Sequence, residues 1–251
     1  MNYNLHVKDV PKWNIIPYVK YGYRSKGNYR QCLYSLFGWH NETLNVWSMI
    51  LVNIFSLFCL IYVLIFIKPK RFWPFLLLYV SSLVHLPFSI GYHLFMPMSK
   101  DINTKWYKLD LSFIFIGITC LILSMCYFVL PIQYTILTIT ISIGITLYSF
   151  YHIWYECVEK CSKKKNAILV SIITSLLFIP IVFQLISNPR DYITLILAIG
   201  IVSSLVFGAI CYSTSFFNKF TPSFNSSHTL MHIMVLIAHI LEYIFVVRSQ
   251  K

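Results

Sequence analysis

Three imidazoles, a carboxylate and a hydroxyl stand in segments that otherwise read as lipid-facing. Ser89 and His93 close one apolar run, Asp110 opens the next, and His228 and His232 open the last. Polar side chains in hydrocarbon are costly, so they tend to mark a function. These types suit a zinc ion: His93, His228 and His232 are the expected metal ligands. Asp110 and Ser89 are the expected catalytic pair, one to orient or deprotonate a water and the other to help position it. Ser89 and His93 are four residues apart, as are His228 and His232, so each pair shares one helical face. Each residue alone has a plainer reading. A histidine in a membrane helix often bonds a neighbouring helix. An aspartate suits the start of a helix, where the dipole favours negative charge. A serine can bond its own helix backbone.

The elements that must position these residues are membrane spans. The chain has 251 residues, 58% hydrophobic and 11% charged, with a mean hydropathy of +0.70. That composition excludes an ordinary soluble domain and predicts an all-α integral membrane protein with a seven-transmembrane helix bundle. Seven apolar stretches are long enough to cross a bilayer: 44–67, 72–95, 109–130, 132–153, 167–187, 192–214 and 228–247. The breaks fall at Lys68-Pro69-Lys70-Arg71, at Pro131 and at Asn188-Pro189-Arg190-Asp191, while Pro87 and Pro180 lie inside spans. The expected organisation is a cytosolic N-terminal tail and interfacial segment over 1–43, a zinc-binding seven-span domain over 44–247, and a short lumenal or extracellular tail over 248–251.

Orientation follows from the basic residues. Of 20 Lys and Arg, only Lys68, Lys70, Arg71, Arg190, Arg248 and Lys251 fall on the side opposite the N-terminal tail. The tail is therefore expected in the cytosol and the C-terminus in the lumen or exterior. In that topology Ser89, His93, Asp110, His228 and His232 share one depth near the cytosolic face. Two sequons, Asn41-Glu42-Thr43 and Asn225-Ser226-Ser227, lie on the same side and are expected to stay unglycosylated.

The net charge of +12 points to anionic lipid, because no nucleic-acid-binding motif accompanies it. Cys59, Cys120, Cys126 and Cys211 lie in apolar runs and read as small hydrophobes. Cys157 and Cys161 stand in a charged loop without partner ligands nearby. The first 40 residues hold no apolar core, so no cleavable signal peptide is expected. His85, His239 and Glu242 are further polar residues inside spans, read as packing or hydrogen-bonding groups. Asn41, Glu42, Thr43 and Asn45 precede an apolar run, where Thr43 reads as a helix cap with Asn45 and Trp47 at the interface, and lining a cavity mouth is the open alternative.

Several stretches together resemble the progestin and adipoQ receptor family. They are Tyr21-Gly22-Tyr23-Arg24, Cys32, Ser35-Leu36-Phe37, His40 through Trp47, Ser89 through Phe95, Lys108-Leu109-Asp110 and Asn225 through His232. The order is right and nearly the whole chain is covered. The Gly91–Phe95 run and the short tail most resemble the branch named for trapping Raf kinase at the Golgi. The resemblance implies seven helices, a cytosolic N-terminus and an intramembrane zinc on His93, His228 and His232, with Ser89 and Asp110 holding its water. It also implies a Golgi membrane, with endoplasmic reticulum or plasma membrane as alternatives.

Two functions follow. In the first, a receptor-like signalling protein tethers a cytosolic Raf-like kinase through its basic N-terminal tail and damps growth-factor signalling, or responds to a hormone. In the second, a zinc-dependent amidase hydrolyses a ceramide-like lipid, with zinc supplying Lewis acidity. A channel or transporter is disfavoured, since the spans hold few charges and show no paired half-helix breaks.

Overall fold

The computed structural model describes residues 1–67, 72–156 and 163–249. The Lys68–Arg71 break, the Cys157/Cys161 pair and Lys251 lie outside the described residues. The described chain is helical, and its one β-bridge pairs Leu5 with Tyr23. A short helix α1 (Tyr29–Tyr34) precedes eight longer ones: α2 (Thr43–Tyr62), α3 (Trp73–Phe95), α4 (Lys100–Val129), α5 (Ile132–Tyr151), α6 (Lys163–Ser175), α7 (Phe178–Ser187), α8 (Tyr192–Thr214) and α9 (Ser226–Arg248). Among the described residues, seven helices are long and apolar enough to cross a membrane, with α6 and α7 making up one of them.

The spans match the apolar stretches except where polar residues hide a helix. α4 begins nine residues before the apolar run does, at Lys100. Ser99 Oγ accepts from the Ile102 backbone N–H at 3.2 Å, an N-cap, and Asp101 sits in the first turn, where the dipole favours it. Asp110 is therefore about three turns into its helix, so the dipole reading of this residue fails. Pro180 lies in the first turn of α7, just after the break from α6. It has no N–H to give, and the backbone before it tightens to i→i−3 bonds, Leu177 to Thr174 at 3.0 Å and Ile179 to Leu176 at 3.2 Å. Pro87, by contrast, lies within an unbroken α3.

The chain divides into two compact units. The first comprises Met1–Val52, Leu86–Asp110 and Ile201–His239, and the second Asn53–His85, Leu111–Gly200 and Ile240–Lys251. In the first, the N-terminal segment joins the start of α2, the end of α3, the start of α4, the end of α8 and the start of α9. That segment is folded. Tyr23 is wholly buried; its hydroxyl donates to Val19 O at 3.2 Å and accepts from the Ile16 N–H at 2.9 Å. Lys20 and Tyr21 N–H both reach Pro222 O, at 2.7 and 3.1 Å. Gly22 (φ +80°) makes the turn between these contacts, and a Cβ there would stand 2.6 Å from Ser223 O.

In the second unit Phe75, Phe115, Ile122, Met125, Ile153 and Phe245 are buried at 1% exposure or less. Thr119 Oγ bonds Ser142 Oγ at 3.0 Å and Thr146 Oγ at 2.9 Å, joining α4 to α5. At Gly117 a Cβ would meet Ser81 O at 2.6 Å, so α3 and α4 touch through backbone.

Candidate metal centre

His93 lies on the last turn of α3, and its neighbours fix that end of the helix. The buried Arg24 guanidinium donates to His93 O at 2.5 Å, Leu94 O at 3.0 Å and Ser35 Oγ at 2.7 Å. A cation there satisfies carbonyls that have no partner within the helix. Burial lowers the Arg24 pKa to about 10, which leaves it charged at neutral pH. Trp106 of α4 packs against Gly91 so closely that a Cβ would meet its ring at 2.1 Å. This approach brings the start of α4, and with it Asp110, close to the end of α3.

His228 and His232 occupy the first two turns of α9. Asn218, fully buried, accepts from the Ser227 N–H at 2.9 Å and donates to Asn225 Oδ1 at 3.3 Å and Pro17 O at 3.1 Å. The α9 N-terminus is thus fastened both to the preceding loop and to the N-terminal segment.

The structure brings the three histidines together. Each offers one nitrogen, and the three nitrogens all lie within 4.8 Å of one another. His93 Nε2 and His232 Nε2 are 3.4 Å apart. The His93 and His228 rings meet edge-on at 4.8 Å, and the His228 and His232 rings lie 4.6 Å apart. Zinc–imidazole bonds of about 2.0–2.1 Å in a tetrahedron set neighbouring donors roughly 3.4 Å apart. The His93–His232 separation matches that value, and the three imidazoles together could hold a metal ion.

Ser89 and Asp110 are buried, at 1% and 9% exposure. Ser89 lies one turn before His93 on α3. Asp110 lies within electrostatic reach of Tyr92 and Tyr212, whose rings pack on His93 at 5.1 Å and on His228 at 5.2 Å.

The residue that spacing did not single out is Glu42. It is 1% exposed, and its Oε2 is 2.7 Å from His93 Nδ1. Asn45 Nδ2 donates to the same oxygen at 2.6 Å, and Asn225 Nδ2 donates to Oε1 at 3.2 Å. Burial raises its pKa, but the His93 hydrogen bond, the nearby imidazoles and the Asn45 amide outweigh burial and lower it to about 2. His40 supports the same residue. Its Nε2 donates to Ser35 O at 3.1 Å, so Nδ1 accepts the Glu42 backbone N–H at 3.2 Å. Burial, with Arg24 nearby, lowers the His40 pKa to about 3, which keeps this ring neutral. Thr43, expected as a cap, instead closes the turn before α2: its Oγ accepts from the His40 N–H at 2.8 Å and donates to Gly38 O at 2.9 Å. A carboxylate two residues before an apolar run, with histidines in the same chain, was the signal available for Glu42.

Both sequon asparagines are buried, Asn41 at 4% and Asn225 at 9%, and the Asn225 amide is engaged through both of its polar atoms. Cys32, Cys126 and Cys211 are buried free thiols, and Cys59 and Cys120 are half-buried ones.

The haemolysin-III-related family model matches residues 37–243. The chain belongs to this family. Among relatives, it is 28% identical over 162 residues to an adiponectin-receptor-like receptor, IZH3, of Saccharomyces cerevisiae, covering 57% of this chain and 29% of that protein. It is 34% identical over 119 residues to membrane progestin receptor beta of Sus scrofa, covering 41% of this chain and 30% of that protein. The chain thus spans under a third of the length of these two relatives. The resemblance to the progestin and adipoQ receptor family holds, and the protein is a haemolysin-III-related family member whose described residues include seven helices long and apolar enough to cross a membrane.

Proposed function

We propose that this haemolysin-III-related protein is a zinc-binding, receptor-like signalling protein in which His93, His228 and His232 hold the ion. The carrying observation is the convergence of three imidazole nitrogens from two helices within 4.8 Å. The basic N-terminal segment faces the cytosol, by the distribution of Lys and Arg, and the ligand is a membrane lipid or a hormone that enters from the lipid. A Raf-like kinase as partner and a Golgi membrane rest on sequence resemblance alone. The folded N-terminal segment changes how a tethering role is tested. Deleting residues 1–20 would also remove the Leu5–Tyr23 bridge and the Lys20 contact to Pro222, so charge reversal at exposed lysines is the cleaner probe of a partner. Kinase capture that survives such reversal would rule out the tail as the docking surface.

The metal reading is tested by elemental mass spectrometry of the detergent-purified protein beside a His228→Ala/His232→Ala double variant. The expected result is about one zinc per chain in the wild type and almost none in the variant. A folded wild type without zinc would reduce the three histidines to helix-packing groups.

A second reading, hydrolysis of a lipid amide, is favoured by the donor count. Three protein ligands leave a tetrahedral ion one position open, as catalytic sites do and closed structural sites do not. A bound zinc would supply Lewis acidity there. Asp110 would orient a water or accept its proton, and Ser89 would help position that water. Asp110→Ala should retain zinc and lose turnover of a ceramide-type substrate; full turnover in that variant sinks this reading.

A further inference from the structure

We infer that Glu42 is the positioning residue of the metal centre, a buried carboxylate that sets the His93 tautomer and ties the two ligand-bearing helices together. The inference rests on the metal reading above.

A carboxylate accepts but does not donate, so the 2.7 Å contact means that His93 Nδ1 carries the proton. The lone pair is then on Nε2, the atom that faces His232 Nε2 at 3.4 Å. Glu42 thus selects which nitrogen of His93 is free to bind metal. The two nitrogens of one imidazole point away from each other, so a carboxylate held on Nδ1 is not itself a ligand of an ion on Nε2. Its role is to orient the ring and make it a better donor.

The same carboxylate reaches the other ligand helix by two routes. Oε1 accepts from Asn225, whose backbone carbonyl accepts the His228 and Thr229 N–H groups that open α9. Oε2 accepts from Asn45, whose Oδ1 accepts from Thr229 Oγ at 2.6 Å. Thr229 stands between the two α9 ligands. One carboxylate at the start of α2 therefore connects His93 on α3 to the turn that carries His228 and His232. Arg24 fixes the main chain of His93, and Glu42 fixes its ring. A residue that served only to begin α2 would need neither the His93 contact nor the α9 contacts.

The test uses the full-length protein in detergent and the isosteric Glu42→Gln, with three readouts: zinc affinity by chelator competition, the visible spectrum of the Co2+-loaded protein, and thermal unfolding without metal. The expected result is zinc affinity lower by roughly 10–100-fold, as for lost partners of metal-bound histidines. The Co2+ spectrum should change, while metal-free unfolding stays near the wild type. Wild-type zinc affinity and a wild-type Co2+ spectrum would overturn the inference, as would a loss of metal-free stability that leaves the affinity unchanged. If Glu42→Gln does not fold, Asn45→Ala takes its place, since it frees one amide from Oε2 and leaves the His93 contact. That variant should lose affinity, by less than the roughly 10–100-fold expected of Glu42→Gln, and unchanged affinity there overturns the inference too. Failure of the metal reading itself is distinguishable, because the wild type would then bind no zinc.

Discussion

Both units are built from apolar helices, and they differ in the polar groups they bury. In the first, Arg24, His40, Glu42, His93, Asp110 and His232 are all buried, and Glu42 and Arg24 each engage several partners. In the second, most buried polar side chains are hydroxyls, among them Ser81, Ser112, Thr135, Thr138 and Ser142, with Glu242, His152 and Asn166 besides. A hydroxyl in a helix is cheap because its own backbone or one neighbour satisfies it. Ser81 bonds Leu78 O at 2.6 Å in this way. An ionised group needs several partners held in place, so a buried, ionised network is the stronger sign of a site.

Arg24 gives the comparison its hardest test. Arg24→Met keeps much of the side-chain volume and strips three hydrogen bonds from His93 O, Leu94 O and Ser35 Oγ. Hydrogen bonds to charged groups are worth about 1.5–3 kcal/mol each, but burying a guanidinium is itself costly, so a net loss of about 3 kcal/mol is expected. Thermal unfolding in detergent measures it. A loss below about 1 kcal/mol would mean that the network in the first unit matters no more than an ordinary surface contact.

A hydroxyl from the second unit sharpens the contrast. Thr119→Val keeps the shape and deletes both bonds, to Ser142 and Thr146. Hydrogen bonds between membrane helices average about 0.6 kcal/mol, because the unfolded chain in the membrane also finds partners. The expected loss is about 1 kcal/mol, with zinc content unchanged. A loss as large as that for Arg24→Met would erase the distinction between the two kinds of burial.

Much of this was legible in the sequence, and the exceptions share a physical cause. The spans follow from local hydropathy, as do the i,i+4 pairs of Ser89 with His93 and of His228 with His232. The start of α4 was missed because its first turns are polar, although Ser99 and Asp101 carried the cap signal. Glu42 and Arg24 were missed because their partners are remote, 51 residues away for Glu42 to His93 and 69 for Arg24 to His93 O. Read locally, Glu42 belonged to a stretch that could cap α2 or line a cavity mouth, and Arg24 was a positive charge on a tail. The folding of the N-terminal segment depends likewise on Pro222 and Asn218, about two hundred residues further on. Periodicity along one element cannot report a bond of that kind.

The smallest effect belongs to Asp191, at the start of α8 in the second unit. Its carboxylate accepts from Thr194 Oγ at 2.7 Å and the Thr194 N–H at 3.1 Å, and from Arg248 at 3.3 Å. The Thr194 bonds, with Arg248 adding to them, hold its pKa below the ordinary value of 3.8. A lowered carboxylate pKa means that the folded state prefers the ionised form. Its contribution is therefore complete above the ordinary aspartate range and is lost as pH falls through the lowered value. Asp191→Asn should lower the melting temperature slightly at neutral pH, less so in high salt, which screens Arg248. The difference between wild type and variant should begin to shrink below about pH 4 and vanish only below the lowered value. A difference that persists into acid would show that the Asp191 side chain acts as a neutral cap, with Arg248 contributing nothing through charge.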